Sequence, residues 1–156
     1  MSVVLMRYAQ QTQVPVDRSK AEIDRMLQRY GATEFASGWK QDKATIMFKM
    51  MDRYIRFILP LPSVGEFTKT ETGRSRRPGT GAVTSAWEQA CRQRWRALTL
   101  SIKAKLESAE SGIEEFETAF MGQIVMPNGR TIEEEIRPMI KEAYETKKMP
   151  SLMLKY

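Results

Sequence analysis

Apolar residues recur along this chain with two different periods, and the switch between them divides it into a helical start, a strand-rich middle and a helical second half. Ile23, Met26, Leu27 and Tyr30 stand at i, i+3, i+4 and i+7, one face of a helix. Ser19 and Glu22 have the spacing of a capping box, and Gly31 follows as a C-terminal stop, so the pattern predicts a helix over 19–30. From Thr33 the period shortens to two. Residues 33–39 read as a strand with a bulge at Gly38, and residues 40–43 as a turn. Residues 44–50 place Ile46, Phe48 and Met50 on one face against Thr45, Met47 and Lys49. After a tight Met51-Asp52 connection, residues 53–59 place Ile55, Phe57 and Leu59 on one face against Tyr54, Arg56 and Ile58. Alternation between turn signals is the mark of an antiparallel sheet with one buried face. Pro60 and Pro62 end it.

Residues 63–82 lack periodicity, are rich in glycine and proline, and hold the run Gly73-Arg-Ser-Arg-Arg-Pro78, which reads as a flexible basic loop. The helical period then returns. Trp87, Cys91, Trp95, Leu98, Ile102, Leu106 and Ala109 fall on one stripe of a long helix over 84–110. Arg92, Arg96 and Lys103 share another face, with Thr99 between them, while Arg94 and Lys105 border the stripe on its far side. Ser111-Gly112 breaks this helix. Ile113, Phe116 and Phe120 mark a shorter one, 124–126 a short extended piece, and Pro127-Asn-Gly129 a turn. Thr131 and Glu134 form a second capping box and open a helix to about Thr146, which Pro138 should kink or shift. The tail 149–156 is apolar enough to dock. The fold expected is α+β: a helix, a three-stranded antiparallel sheet, a long helix across the sheet and two C-terminal helices. We expect one domain over 1–156, made of 1–62 as helix plus sheet, 63–82 as loop and 83–156 as the helical part.

Charge changes this picture more than composition does. The chain carries net charge +6, but the sign is segregated. Residues 69–105 hold nine basic residues against two acidic ones, and residues 106–146 hold ten acidic against three basic. A basic block attracts polyanions, of which nucleic acid is the commonest in a cell. The nucleic-acid-binding residues expected are Arg74, Arg76 and Arg77 on the loop and Arg92, Arg96 and Lys103 on the helix. Guanidinium forks match phosphate oxygens. Tyr54, Trp39 or Trp95 could add base stacking. The competing reading is that the helix cations pair with the chain's own acidic C-terminal helices.

Other chemistries are thinly provided for. With no histidine, imidazole-based triads and His-Glu-x-x-His zinc sites are excluded. The single cysteine, Cys91, excludes an internal disulfide and reads as a small buried hydrophobe. Glu114, Glu115 and Glu117, or Glu133, Glu134 and Glu135, could bind magnesium for phosphodiester cleavage, but glutamates in a first helical turn complement the helix dipole. Asn128-Gly-Arg130-Thr131 lacks the spacing and lysine of a phosphate-binding loop. The expectation is no enzyme, no cofactor and no metal. No apolar run approaches the roughly 20 residues of a membrane span, and the opening Met1-Ser-Val-Val-Leu-Met6 is too short for a signal peptide, so the expected location is cytoplasmic.

The strings SKAEIDRMLQRYGA, YIRFILPLP, RQRWRALTLSIKAKLESAESGIEEFE and IVMPNGRTIEEEI resemble an uncharacterised family of small proteins from phages and environmental sequences. The resemblance spans about residues 7–155 and implies a mobile-element setting, where small non-enzymatic proteins handle DNA or block a host-defence complex. It carries over no functional residue. The helix–three strands–helix order is similar to that of double-stranded-RNA-binding domains and of phage single-strand annealing proteins, without either family's motif. The function expected is therefore non-catalytic nucleic-acid binding, to DNA or RNA. The alternative is a protein-binding module that inhibits, or is a subunit of, a nucleic-acid-processing or host-defence complex. No membrane partner is expected, and a homo-oligomer is compatible with either.

Overall fold

A computed structural model describes residues 3–40, 42–67 and 80–150, with residues 3–15 and Thr80 described as backbone only. The elements, in order, are α1 (Val3–Arg29), β1 (Glu34–Lys40), β2 (Lys43–Met50), β3 (Arg53–Pro60), α2 (Thr80–Glu110), α3 (Phe116–Ala119) and α4 (Ile132–Thr146), with single 3-10 turns at Val64–Phe67 and Met121–Gln123. This is the expected α+β arrangement.

The first helix is longer than its capping signal implied. It runs from Val3 through Pro15, so Ser19 lies inside it and caps nothing. A Ser-x-x-Glu pair caps a helix only where the preceding turn is not already helical, and 3–14 holds three glutamines together with Leu5, Met6, Arg7 and Ala9, residues that sustain one. The end is where Gly31 set it. Gly31 has φ +97°, its N–H donates to the Gln28 carbonyl at 3.1 Å, and the Ala32 N–H donates to the Leu27 carbonyl at 3.0 Å. That left-handed closure satisfies two of the carbonyls a helix end leaves open. Gly112, at φ +74°, ends α2 by the same pair of bonds to Ala109 and Ser108.

The strands form one antiparallel sheet in the order β1-β2-β3. The β1–β2 register runs unbroken from Glu34 opposite Lys49 to Lys40 opposite Lys43, so Gly38 forms no bulge. Nothing lies within 4 Å of where its Cβ would be, and the structure offers no steric reason for glycine there. Ala44, Ile46, Phe48 and Met50 of β2 and Ile55, Phe57 and Leu59 of β3 are buried, as their alternation required. Beyond β3 the sheet gains a short fourth element: Ile124 bridges Ile55, and the Val125 N–H donates to the Tyr54 carbonyl at 2.8 Å.

On the buried face lie α1 and α2. Ile23, Met26 and Leu27 of α1 join Cys91, Trp95, Leu98, Ile102 and Leu106 of α2 in one core with the sheet. Each such side chain, fully buried, contributes about 1.5–3 kcal/mol. Lys20 Nζ sits 5.6 Å from the centre of the Trp95 ring and ties α1 to α2. Phe120, from the segment after α3, meets Phe48 edge-on at 5.8 Å and Phe57 at 6.3 Å, and so holds that segment against the sheet.

The basic loop is shorter than the sequence suggested. Val64–Phe67 is a 3-10 turn, and α2 begins at Thr80 despite Gly81. Val83 is buried and Trp87 Nε1 donates to the Pro62 carbonyl at 2.7 Å, so packing extends the helix by a turn. The remainder of the loop, 68–79, and the tail from 151 lie outside the described residues.

Toward the C-terminus, α3 is a single turn, and Ile113, expected on its apolar face, is exposed. The α4 capping box is complete. The Glu134 N–H donates to Thr131 Oγ1 at 3.3 Å, and the Thr131 N–H donates to Glu134 Oε2 at 2.8 Å. Pro138 does not shift the start of α4. A proline lacks the N–H that would bond the carbonyl four residues back, here that of Glu134. Arg130 Nη2 donates to that carbonyl at 3.0 Å and takes the missing donor's place.

Candidate nucleic-acid interface

Of the five cations of α2, Arg94 is exposed on the side away from Arg92, Arg96 and Lys103, and the other four divide into two groups by what they touch. Lys105 is structural: its Nζ donates to the Ala119 carbonyl at 2.8 Å and lies 6.0 Å from the centre of the Phe120 ring. Arg92, Arg96 and Lys103 are exposed on a common side of the helix. Arg92 reaches Glu88 only at 4.0 Å and Lys103 reaches Glu107 only at 3.9 Å, both within α2. Exposed helical pairs of this kind are worth a few tenths of a kcal/mol. Arg96 has no ion pair or hydrogen bond among the described residues. Leu100, 60% exposed, lies one turn beyond Arg96 on the same side. Thr99 does not belong to this surface. It is buried, with Oγ1 donating to the Trp95 carbonyl at 2.9 Å.

The acidic segment is neutralised elsewhere. Arg53 Nη2 meets Glu117 at 2.8 Å, and Arg56 Nη2 meets Glu134 at 3.0 Å. Arg130 Nε meets Glu135 at 3.1 Å, and Arg137 pairs with Glu133. Ser108 Oγ donates to Glu114 at 2.7 Å. None of these carboxylates pairs with Arg92, Arg96 or Lys103. Two arginines of β3 and two of the acidic segment itself do what the competing reading assigned to the helix cations. Arg53 and Arg56 carried no signal for this, because their partners lie more than sixty positions away.

Arg56 is the centre of that arrangement. It projects from the outer face of the sheet, Nη1 donates to the Gly129 carbonyl at 3.0 Å, and its Nε is buried without a partner. The backbone N–H of Thr131, aided by Arg56 and Arg130, holds the Glu134 carboxyl below the usual carboxylate range. Between β3 and α4 lies an open cleft of about 510 Å³ lined by Arg56, Ile58, Arg130, Glu133, Glu134 and Arg137. Its three guanidinium groups are all engaged by glutamates, so it presents little net charge to a ligand. Among the described residues no three acidic or thiol groups stand together as metal ligands.

Of the three aromatic residues considered for stacking, Trp95 is a core residue, 1% exposed, and cannot meet a base. Tyr54 is on the sheet face opposite the helices, with its hydroxyl donating to Glu34 at 3.1 Å and Lys49 Nζ over its ring at 5.3 Å. Trp39 is 62% exposed on β1. These three rings are not gathered on one surface: Trp95 is in the core, and Trp39 and Tyr54 lie on opposite faces of the sheet. Arg74, Arg76 and Arg77 lie outside the described residues. Burial, with Glu88 nearby, pushes the Cys91 thiol up to about 11, so it stays protonated and unreactive near neutral pH. No helix among the described residues is long and apolar enough to cross a membrane.

Comparison with known proteins adds no identity: no family model, no curated protein and no solved structure matches the chain.

Proposed function

We propose that the protein is a non-catalytic nucleic-acid-binding protein that grips the phosphate backbone, with Arg92, Arg96 and Lys103 of α2 as its rigid contacts and Arg74, Arg76 and Arg77 as further ones. The observation that carries this reading is the division of ion pairs. The acids that would silence the basic side of α2 are held by Arg53, Arg56, Arg130 and Arg137, which leaves that side open to an external anion. A phage or mobile-element setting rests on the sequence resemblance alone.

Backbone binding of this kind releases counterions. Affinity for single- and double-stranded DNA and RNA should fall steeply between about 50 and 300 mM salt, with little sequence preference. Replacing Arg92, Arg96 and Lys103 together with alanine should lower the slope of log K against log salt by roughly 2–3. Affinity that is absent, or unchanged across that salt range, would sink the proposal.

A second reading, a protein-binding module within a nucleic-acid-processing or host-defence complex, draws on α4. No α4 residue is buried, and Ile140 and Tyr144 are exposed on it, Tyr144 by 83%. A purified protein free of nucleic acid by its 260/280 nm absorbance ratio, and recovered with a protein partner, favours that reading.

A further inference from the structure

β1 is an edge strand with unusual exposure. Of its seven residues only Phe35 is even partly buried, so neither face is covered by the helices. Natural edges are blunted by prolines, bulges or inward charges, and a flat unprotected edge is a template for another strand. β1 has no proline and no bulge, and its charges stand only at its two ends.

The polarity of its free hydrogen-bonding groups follows from the ladder. The Leu61 N–H donates to the Asp42 carbonyl at 2.7 Å, so even-numbered β2 residues bond to β3 and odd-numbered ones bond to β1. The β1 residues opposite them are Glu34, Ala36, Gly38 and Lys40. The N–H and C=O groups of Phe35, Ser37 and Trp39 therefore point outward.

We infer that β1 pairs antiparallel with β1 of a second copy of this chain, about a two-fold axis at Ser37, to make one continuous sheet across a dimer. In that register the outward groups of Phe35, Ser37 and Trp39 meet those of Trp39, Ser37 and Phe35 of the copy, forming about six backbone hydrogen bonds. The side chains are self-complementary in the same register. Glu34 faces Lys40, Phe35 faces Trp39, and Ala36 faces Gly38, each in both directions. Phe35 and Trp39 lie on the helix-facing side of the sheet, where an aromatic pair would cover the exposed Trp39 ring. Glu34 would also relieve a like-charge contact within each chain: Lys40 stands directly opposite Lys43, and neither has a carboxylate partner among the described residues. Phosphate binding by α2 neither requires nor supplies this pairing.

Sedimentation equilibrium on the whole chain tests it. The wild type should reach twice its 18.0 kDa chain mass at micromolar concentration. Ser37→Pro removes an outward N–H while leaving the β1–β2 ladder intact, and should give the chain mass with an unchanged far-UV circular dichroism spectrum. Glu34→Lys and Lys40→Glu should each weaken the dimer by about tenfold or more, and an equimolar mixture of the two should recover it, because the mixed pair restores both charge contacts. If Ser37→Pro fails to fold, the charge variants and their mixture decide. A wild type that is monomeric at about 100 μM, far above the Kd expected of a specific dimer, would overturn the inference. So would a dimer unaffected by every one of these substitutions, or a mixture no stronger than either variant alone.

Discussion

Arg130 shows how one side chain can hold several neighbours in place. Its guanidinium supplies the hydrogen bond that Pro138 withholds from the Glu134 carbonyl, and it pairs with Glu135 as well. Replacing it with alanine should destabilise the protein by about 1–2 kcal/mol in urea unfolding, since a carbonyl inside the helix loses its donor. The same replacement should do less harm in a Pro138→Ala background, where residue 138 regains an N–H. Equal losses in the two backgrounds would show that the Glu134 carbonyl does not depend on Arg130. Arg56 acts on a larger scale. It spans from the sheet to the Gly129 carbonyl and the Glu134 carboxylate, and so joins β3 to the cap of α4.

Among the elements, the β2–β3 hairpin carries visible strain. Met51 and Asp52 both adopt positive φ, 52° and 57°, in a two-residue turn whose geometry favours Asn-Gly. Met51→Asn with Asp52→Gly should therefore stabilise the protein by about 1 kcal/mol, read as a rise in the urea midpoint without a change in slope. The strands around this turn were legible in the sequence, because Ile46, Phe48, Met50, Ile55, Phe57 and Leu59 alternate without exception and all face the core. So was the α2 stripe from Trp87 to Ala109, and so was the Thr131–Glu134 cap. Some local signals misled, and the ion pairs of the acidic segment depended on contacts distant in sequence. Ser19 offered a cap that the longer helix makes irrelevant. Gly38 suggested a bulge that its register does not contain. Trp95, a plausible stacking residue by type, is fixed in the core by its place on the apolar stripe. For the candidate site, exposure of Arg92, Arg96 and Lys103 could be read from helical spacing, but the partners of the acidic segment could not.

For the molecule as a whole, the opposed charge blocks of the sequence do not simply cancel each other. The acidic segment folds back along β3, its α3 end packed on the core side through Phe120 and paired with Arg53, its α4 end held by Arg56 on the outer face, while the basic side of α2 stays facing solvent. Positive potential and negative charge thus occupy different parts of the surface, which favours oriented approach of a polyanion. The same separation distributes stability unevenly. α1, α2 and the sheet share one core, whereas α4 has no fully buried side chain and is held by Ile132, half-buried against that core, by Arg56, by the Thr131 cap and by the bridge at Ile124. Beyond Ile132 its attachment is largely polar and peripheral, so it should open without global unfolding. In native-state hydrogen exchange, α4 amides should take up deuterium well before those of α2, by about two orders of magnitude or more, with little dependence on denaturant. Exchange of both helices at one common rate would mean instead that the C-terminal segment and the core form a single cooperative unit.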